Sequence, residues 1–178
     1  MKTNNLRKCL AGMVILLALV AVNAGIWQKE RILNKGDVMI LELAPVDPRS
    51  LMQGDYMALS YAITRPLQLE LDQQHQVCNS VPSTPCLPLS GKIIVDLDTQ
   101  RQVTQATFDQ GHPLKANQLR VKYHMNSGSL TVGTNAYFFQ EGHGERFVHA
   151  RYGAFRVSKD GTALLTAMLD ERGEVIEP

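Results

Sequence analysis

The sequence lacks an excess of charge of either sign and has few aromatic residues. Its 178 residues carry 18 Lys and Arg against 17 Asp and Glu, and Phe, Trp and Tyr make up 6% of the chain. Nucleic-acid-binding proteins carry basic patches that neutralise phosphates, and no basic run is present here. We therefore expect no nucleic-acid partner. The length suits one anchored domain better than two.

Cysteine is scarce, and the three cysteines form no CxxC pair. Two cysteines, Cys78 and Cys86, enclose a loop with two prolines, and two are too few for a structural zinc site. They could be free thiols in a cytosolic loop or a disulfide in an oxidising compartment. We favour the disulfide, which closes a loop of about nine residues. Cys9 lies in an apolar run, where we expect it to be inert.

Motifs for cofactors and metals are also missing. The segment Gly142-His143-Gly144 lacks both the spacing of a dinucleotide-binding loop and the lysine of a phosphate-binding loop. The five histidines are scattered along the chain at His75, His112, His124, His143 and His149. Glu141 and Glu145 could complete a metal site only if folding brought them to histidines. We expect no cofactor and no metal.

One long hydrophobic run is present. No charged residue occurs from Cys9 to Trp27, and 19 helical residues span about 28 Å, the thickness of a bilayer core. The run could be a signal peptide cleaved after Ala24 or a retained signal-anchor helix, and its length favours the anchor. The expected organisation is a cytoplasmic N-terminus (1–8), a transmembrane anchor (9–27), a linker (28–36) and an exported domain (37–178).

The rest of the chain shows mostly the two-residue period of β-strands. We predict a mainly β fold: an N-terminal transmembrane helix followed by a mostly antiparallel β domain with one or two short helices. Lys159-Asp160-Gly161 predicts a hairpin turn. Glu145–Arg151 is a helical candidate. The alternation of Leu67, Leu69 and Leu71 after Pro66 suggests an edge strand. Residues 72–90 are interpreted as a loop. The other predicted strands are Asp37–Ala44, a strand from Asp55 onward, Lys92–Leu97, Val103–Phe108, the alternating set at 119–123, Ser129–Gly133, Asn135–Phe139, Phe155–Ser158 and Ala163–Leu169.

The segment from Ala44 to Ile63 has the strongest local chemistry. Asp47 can cap a helical turn that begins at Pro48, and Gly54 can end that turn in the left-handed conformation. In the following strand, Met57, Leu59, Tyr61 and Ile63 share one face. We expect Gly54, Asp55 and Tyr56 to be needed for folding rather than for chemistry.

The residues Gly54, Asp55, Tyr56, Leu59 and Tyr61 spell G-D-Y-x-x-L-x-Y. This pattern closely resembles the signature of the GDYXXLXY family of bacterial membrane-anchored proteins. The segments Pro45-Val46-Asp47-Pro48-Arg49 and Tyr152-Gly153-Ala154-Phe155-Arg156-Val157 are similar to the family as well, whereas the Cys- and Pro-rich piece at 76–90 matches no family motif. The resemblance implies a single-pass protein of the bacterial inner membrane, a β-rich periplasmic domain and a multi-span membrane protein as partner. It implies no established activity.

Two functions follow as hypotheses. In the first, the loop Asp47–Gly54 and the segment Glu141–Tyr152 lie together and form a partner-facing surface of an accessory or sensing module. The polar residues of this surface could instead have only the structural role of bracing loops through arginine–carboxylate bonds. These residues are Asp47, Arg49, Asp55, Asn135, Glu141, Glu145, Arg146, Arg151 and Tyr152. The alternative is a signal-peptidase-like serine–lysine hydrolase with Ser50 as nucleophile and Lys92 as base. That match lacks the Ser-Met pair and the later Lys-Arg segment of those enzymes.

Overall fold

The computed structural model describes residues 2–44, 52–53, 56–80, 86–126 and 128–177. The chain divides into two units, Met1–Lys35 and Gly36–Pro178. The first is one helix, α1 (Lys2–Lys35). Within it, Leu10–Lys35 is long and apolar enough to cross a membrane. The helix continues through the expected linker, and there the Arg31 guanidinium lies 5.6 Å from the centre of the Trp27 ring.

The second unit is built mainly from antiparallel strands. Its helices within the described ranges are α2 (Thr64–Ser80) and a 3-10 helix at Gly144–His149, called the 144–149 helix below. The strands in the described part of the chain are β1 (Asp37–Glu42), β2 (Met52–Gln53), β3 (Tyr56–Ala58), β4 (Ser90–Leu97), β5 (Val103–Phe108), β6 (Gln118–Asn126), β7 (Ser129–Val132), β8 (Ala136–Phe138), β9 (Tyr152–Val157) and β10 (Ala163–Leu169).

The strands form three sheets with the orders β1-β9-β10, β2-β3-β8 and β5-β4-β6-β7. All strand pairs in these sheets are antiparallel. The first sheet joins the two ends of the domain, since β1 pairs with β9 from Asp37 opposite Val157 to Glu42 opposite Tyr152. The predicted fold class, an apolar N-terminal helix followed by a mostly antiparallel β domain, is confirmed.

One core is shared by the three sheets. It includes Met39 of β1, Met57 of β3, Val121 of β6 and Phe155 of β9, each at most 3% exposed. Burial alternates along β9 with the period of two that a strand with one buried face requires. Burial of these apolar side chains is the main favourable term that holds the sheets together.

The turn between β9 and β10 forms as predicted. The backbone N–H of Gly161 donates to Ser158 O, and that of Ser158 donates to Thr162 O, both at 2.9 Å. The turn also reaches a second sheet, because the Lys122 N–H of β6 donates to Gly161 O at 2.8 Å. The Asp-Gly pair thus places the tip of one hairpin against a strand of another sheet.

The predicted edge strand at residues 67–71 is wrong, because α2 extends from Thr64 to Ser80. The predicted loop at 72–90 is wrong as far as Ser80, whereas residues 86–89 are in neither a helix nor a strand, as predicted. Leu67 and Leu71 are 1% and 0% exposed, whereas Leu69 is 56% exposed. Residues four apart share a helix face, while a strand would put all three leucines on one side. Pro66 lies in the first turn of the helix, where its missing N–H costs no hydrogen bond.

The predicted helix at Glu145–Arg151 exists as the shorter 144–149 helix. Its one buried residue is Phe147, whose ring packs against Tyr137 and Phe139 with centroids 5.1 and 5.4 Å away. A helix of six residues is not stable by itself. Phe147 therefore anchors this turn to the β domain.

Candidate functional site

The last tyrosine of the G-D-Y-x-x-L-x-Y segment lies in the core. Tyr61 is 2% exposed, and its hydroxyl donates to Thr134 O at 2.7 Å. Its ring meets Phe155 edge-on with centroids 5.6 Å apart. Burial raises the pKa of the Tyr61 phenol because the charged form would lose its hydration. The side chain is therefore a buried, hydrogen-bonded anchor of the core.

Two glycines leave room for the rings at this position. A Cβ atom at Gly153 would lie 3.2 Å from the Phe155 ring and 3.7 Å from that of Tyr61. A Cβ atom at Gly133 would lie 2.7 Å from Phe155, closer than real Cβ contacts. The G-D-Y-x-x-L-x-Y segment and the Tyr152–Val157 segment, which resemble the same family, thus meet in the core.

Backbone hydrogen bonds fix the residues between β3 and α2. The Leu59 N–H donates to Asn135 O at 2.8 Å, and Ser60 O accepts from the Ala44 N–H at 2.8 Å. Leu59 is buried and Ser60 is exposed. The alternation of Met57, Leu59 and Tyr61 toward the core is as predicted, although β3 itself ends at Ala58.

A cavity of about 330 Å³ opens beside this segment. Its walls come from the residues after β3, the start of α2, the β6–β7 hairpin and the residue before β8. The lining residues are Ala58, Leu59, Ser60, Tyr61, Thr64, Asn126, Ser129, Leu130, Thr131 and Asn135. None of them is Asp, Glu, Lys, Arg or His. The described part of the lining offers hydroxyl and amide groups and includes no general base or metal ligand.

Helix α2 encloses the cavity through contacts with the edge of β7. The Gln68 side chain accepts from the Leu130 N–H at 2.6 Å and donates to Gly128 O at 3.0 Å. An edge strand exposes such backbone groups, and the Gln68 amide satisfies two of them. At the start of α2, the Thr64 hydroxyl donates to Tyr61 O at 2.7 Å. These bonds hold α2 against the hairpin that forms the opposite wall.

The residues of the predicted partner surface fall in different places. Asn135 is exposed at the cavity, whereas Glu145 and Arg146 are exposed on the 144–149 helix. Glu141 is exposed just before that helix, and the half-buried Tyr152 lies at the start of β9. Arg151 forms an ion pair with Glu171, with Nε 3.3 Å from the carboxylate.

Several predicted residues lie outside the residues that the structure describes: Asp47, Pro48, Arg49, Ser50, Gly54 and Asp55. The capped turn and its expected contact with the segment Glu141–Tyr152 therefore stay predictions. Tyr56 is described, and its ring packs 5.7 Å from that of Phe138, its neighbour on β8.

Cys78 and Cys86 are joined by a disulfide, with Cα atoms 5.5 Å apart. The bond ties the last turns of α2 to the segment before β4. Beside it, the His75 Nε2 atom lies 2.7 Å from Leu87 O. Within the described ranges, no group of three His, Cys, Asp or Glu side chains is placed to hold a metal ion.

Sequence reasoning missed Thr64, Ser129 and Thr131. Thr131 lies between Leu130 and Val132 in β7, where alternation predicts a solvent-facing threonine, yet it is only 9% exposed. The helical spacing of Leu67, Leu71 and Cys78 is the signal that could have identified α2 and, with it, the cavity wall.

Comparison with protein-family models matches residues 18–168 to the family described as GDYXXLXY protein. No curated protein matches the chain, and no solved structure does. The match covers the end of α1 and the β domain as far as β10, including both segments that meet at Tyr61. The chain belongs to the GDYXXLXY family.

Proposed function

We propose that the protein is a membrane-anchored module whose β domain lies in the bacterial periplasm and serves as an accessory or sensing subunit of a multi-span membrane protein. The observation that carries this proposal is the Cys78–Cys86 disulfide in a domain that follows an apolar helix. Structural disulfides persist in oxidising compartments such as the periplasm and are rare in the cytosol. A helix in front of such a domain supplies both export and attachment.

The 144–149 helix supports the partner-binding part of the proposal. Phe147 fixes the turn to the core, while Val148 is 46% exposed and Glu145, Arg146 and His149 also face solvent. Short loops held on a rigid scaffold commonly present binding residues. An exposed apolar side chain among charged ones is the composition of a small protein–protein contact.

Reporter fusions test the topology. Alkaline phosphatase, which needs an oxidising compartment, should be active when fused to the C-terminus, and green fluorescent protein should not fluoresce there. A matched chain without Leu10–Val22 should lose phosphatase activity. The opposite pattern in the full chain would refute export, and a mature N-terminus at Gly25 would refute the anchor while leaving export standing.

Site-specific photo-crosslinking tests the partner surface. A crosslinking residue at Val148 should give an adduct with a multi-span membrane protein in intact membranes, whereas one at Val175, which is 57% exposed, should not. Glu145→Lys should weaken that adduct without lowering the melting temperature, and Glu70→Lys on α2 is the matched control. Equal adducts from both valine positions would contradict the proposal.

No observation on the described residues favours the hydrolase alternative. Lys92, its expected base, is exposed in β4 and lies opposite Lys122 of β6. Lysine bases act from buried positions. Because Ser50 lies outside the described residues, Ser50→Ala is the direct test: a hydrolase would lose all activity, whereas an accessory module would keep its crosslinks.

A further inference from the structure

The cavity beside Tyr61 contains a hydroxyl group that makes no hydrogen bond with the residues that the structure describes. Thr131 is 9% exposed, the one polar residue in the buried core of the described chain. Its side chain lines the cavity, and no described residue makes a hydrogen bond with its hydroxyl. The hydroxyl oxygen is not one of the fully buried side-chain atoms without a partner, so it is accessible from the cavity. A molecule bound in the cavity can therefore form a hydrogen bond with it.

The other lining groups show which chemistry that molecule must have. Hydroxyls of Ser60, Thr64 and Ser129 and the amides of Asn126 and Asn135 can each donate and accept hydrogen bonds. The Thr64 hydroxyl uses its proton on Tyr61 O and keeps lone pairs to accept a bond. Such groups match the hydroxyls of a polyol, which also donate and accept.

The same lining disfavours a charged ligand. None of the described residues that line the cavity carries a charge, and moving an ion into a site without a counter-charge is costly. Leu59 and Leu130 add apolar surface, on which the C–H face of a sugar ring can lie. The volume, about 330 Å³, is at the small end of the range of ligand pockets, about 300–1,000 Å³.

We propose that this cavity binds a neutral saccharide of one or two rings, with Thr131, Ser129 and Asn135 as its polar contacts. The proposal goes beyond the accessory function and does not depend on it, because a sugar could be bound whichever compartment or partner the domain has.

Saturation-transfer NMR on the full chain in phosphatidylcholine nanodiscs tests the ligand class. Nanodiscs avoid detergents with sugar headgroups. N-acetylglucosamine and maltose are the probes, and at least one should receive saturation at millimolar concentration. Glucose 6-phosphate and glucuronate should fail to compete. No transfer to either probe, or equal competition by the charged sugars, would overturn the proposal, as would equal competition by N-acetylalaninamide, which has amides but no polyol.

Thr131→Val tests the assigned contact. The dissociation constant should rise about five- to tenfold, the loss of one neutral hydrogen bond. The melting temperature should stay the same or rise, since the hydroxyl has no protein partner to lose. Thr107→Val, an exposed threonine of β5 outside the cavity lining, is the matched control and should change neither value. Unchanged affinity in Thr131→Val would refute the contact.

A second variant keeps the test informative if Thr131→Val folds poorly. Ser60 is an exposed residue of the cavity wall, so Ser60→Phe can place a ring over the opening without disturbing the core. This variant should abolish saturation transfer and melt like the wild type. Retained binding would place the saccharide elsewhere and overturn the assignment.

Discussion

Tyr61 shows how one residue of the family segment connects distant parts of the chain. Its hydroxyl bonds to Thr134, its ring packs on Phe155, and its backbone oxygen accepts from Thr64 at the start of α2. The family pattern therefore ends in a residue that positions three neighbouring elements. At this scale the described apolar residues of the segment, Leu59 and Tyr61, pack in the core.

Tyr61→Phe keeps the ring and removes its hydrogen bond. Because Thr134 O would lose its 2.7 Å donor in a mostly buried place, the variant should lose about 1–2 kcal/mol of unfolding free energy. Chemical denaturation measures the loss. Tyr152→Phe, at a half-buried ring for which the described residues offer no hydroxyl bond, is the matched control and should cost less. Equal costs would contradict the role given to the Tyr61 hydroxyl.

The same residue predicts a pH dependence. Burial raises the pKa of Tyr61 above its ordinary value of 10.0, so above pH 10 the unfolded chain releases a proton that the folded chain keeps. The unfolding free energy is therefore unaffected by this group below pH 10 and falls as the pH rises further. Denaturation between pH 9 and pH 11 should show a shallower decline for Tyr61→Phe than for the wild type, and parallel curves would refute the assignment.

At the scale of elements, local signals predicted hairpins well and α2 poorly. The Asp160-Gly161 pair requires a tight turn, so the β9–β10 hairpin follows from two residues. In α2, alternate leucines and Pro66 resemble an edge strand, and the burial of Leu67 and Leu71 but not of Leu69 shows that the segment is a helix. Short apolar runs do not distinguish the two structures by period alone.

The candidate site was harder to predict for the same reason. The family segment was visible, but the cavity beside it depends on α2 contacting the edge of β7 through Gln68. Thr131 gains its importance only from that contact. A site formed by elements distant in sequence has no local pattern, whereas a turn or a transmembrane run does.

Gly161→Ala should destabilise the domain more than a glycine change in an open turn. Gly161 has φ +94°, and a Cβ atom there would lie 3.1 Å from Arg120 O and 3.3 Å from Lys122 N, both backbone atoms. Gly111 has φ +82°, and a Cβ atom there would have no other atom within 4 Å. Gly111→Ala should therefore lower the unfolding free energy only through backbone strain, by about 1–2 kcal/mol. Thermal denaturation compares the two variants. A smaller loss for Gly161→Ala would mean that the hairpin tip does not pack on β6.

At the scale of the whole molecule, the disulfide links stability to compartment. We expect that thiol labelling of the denatured, unreduced native protein modifies only Cys9, since Cys78 and Cys86 are bonded to each other. Replacing both by serine should cost about 2.5 kcal/mol through the freed loop of the unfolded chain. Cys9→Ser is the control and should cost nothing in the domain. Labelling of all three cysteines would refute the bond in the native protein.

The pairing of β1 with β9 has a consequence for when the domain can fold. The strand that leaves α1 finds its partner only near the end of the chain, and β10 completes that sheet still later. Contacts so far apart in sequence slow folding, because a long loop must close before they form. During synthesis, Met39 and Leu41 therefore lack their β9 partners, Phe155 and Gly153, until the end of the chain is made. A nascent chain halted before Tyr152 has a membrane helix already made and a domain that still lacks its closing strands.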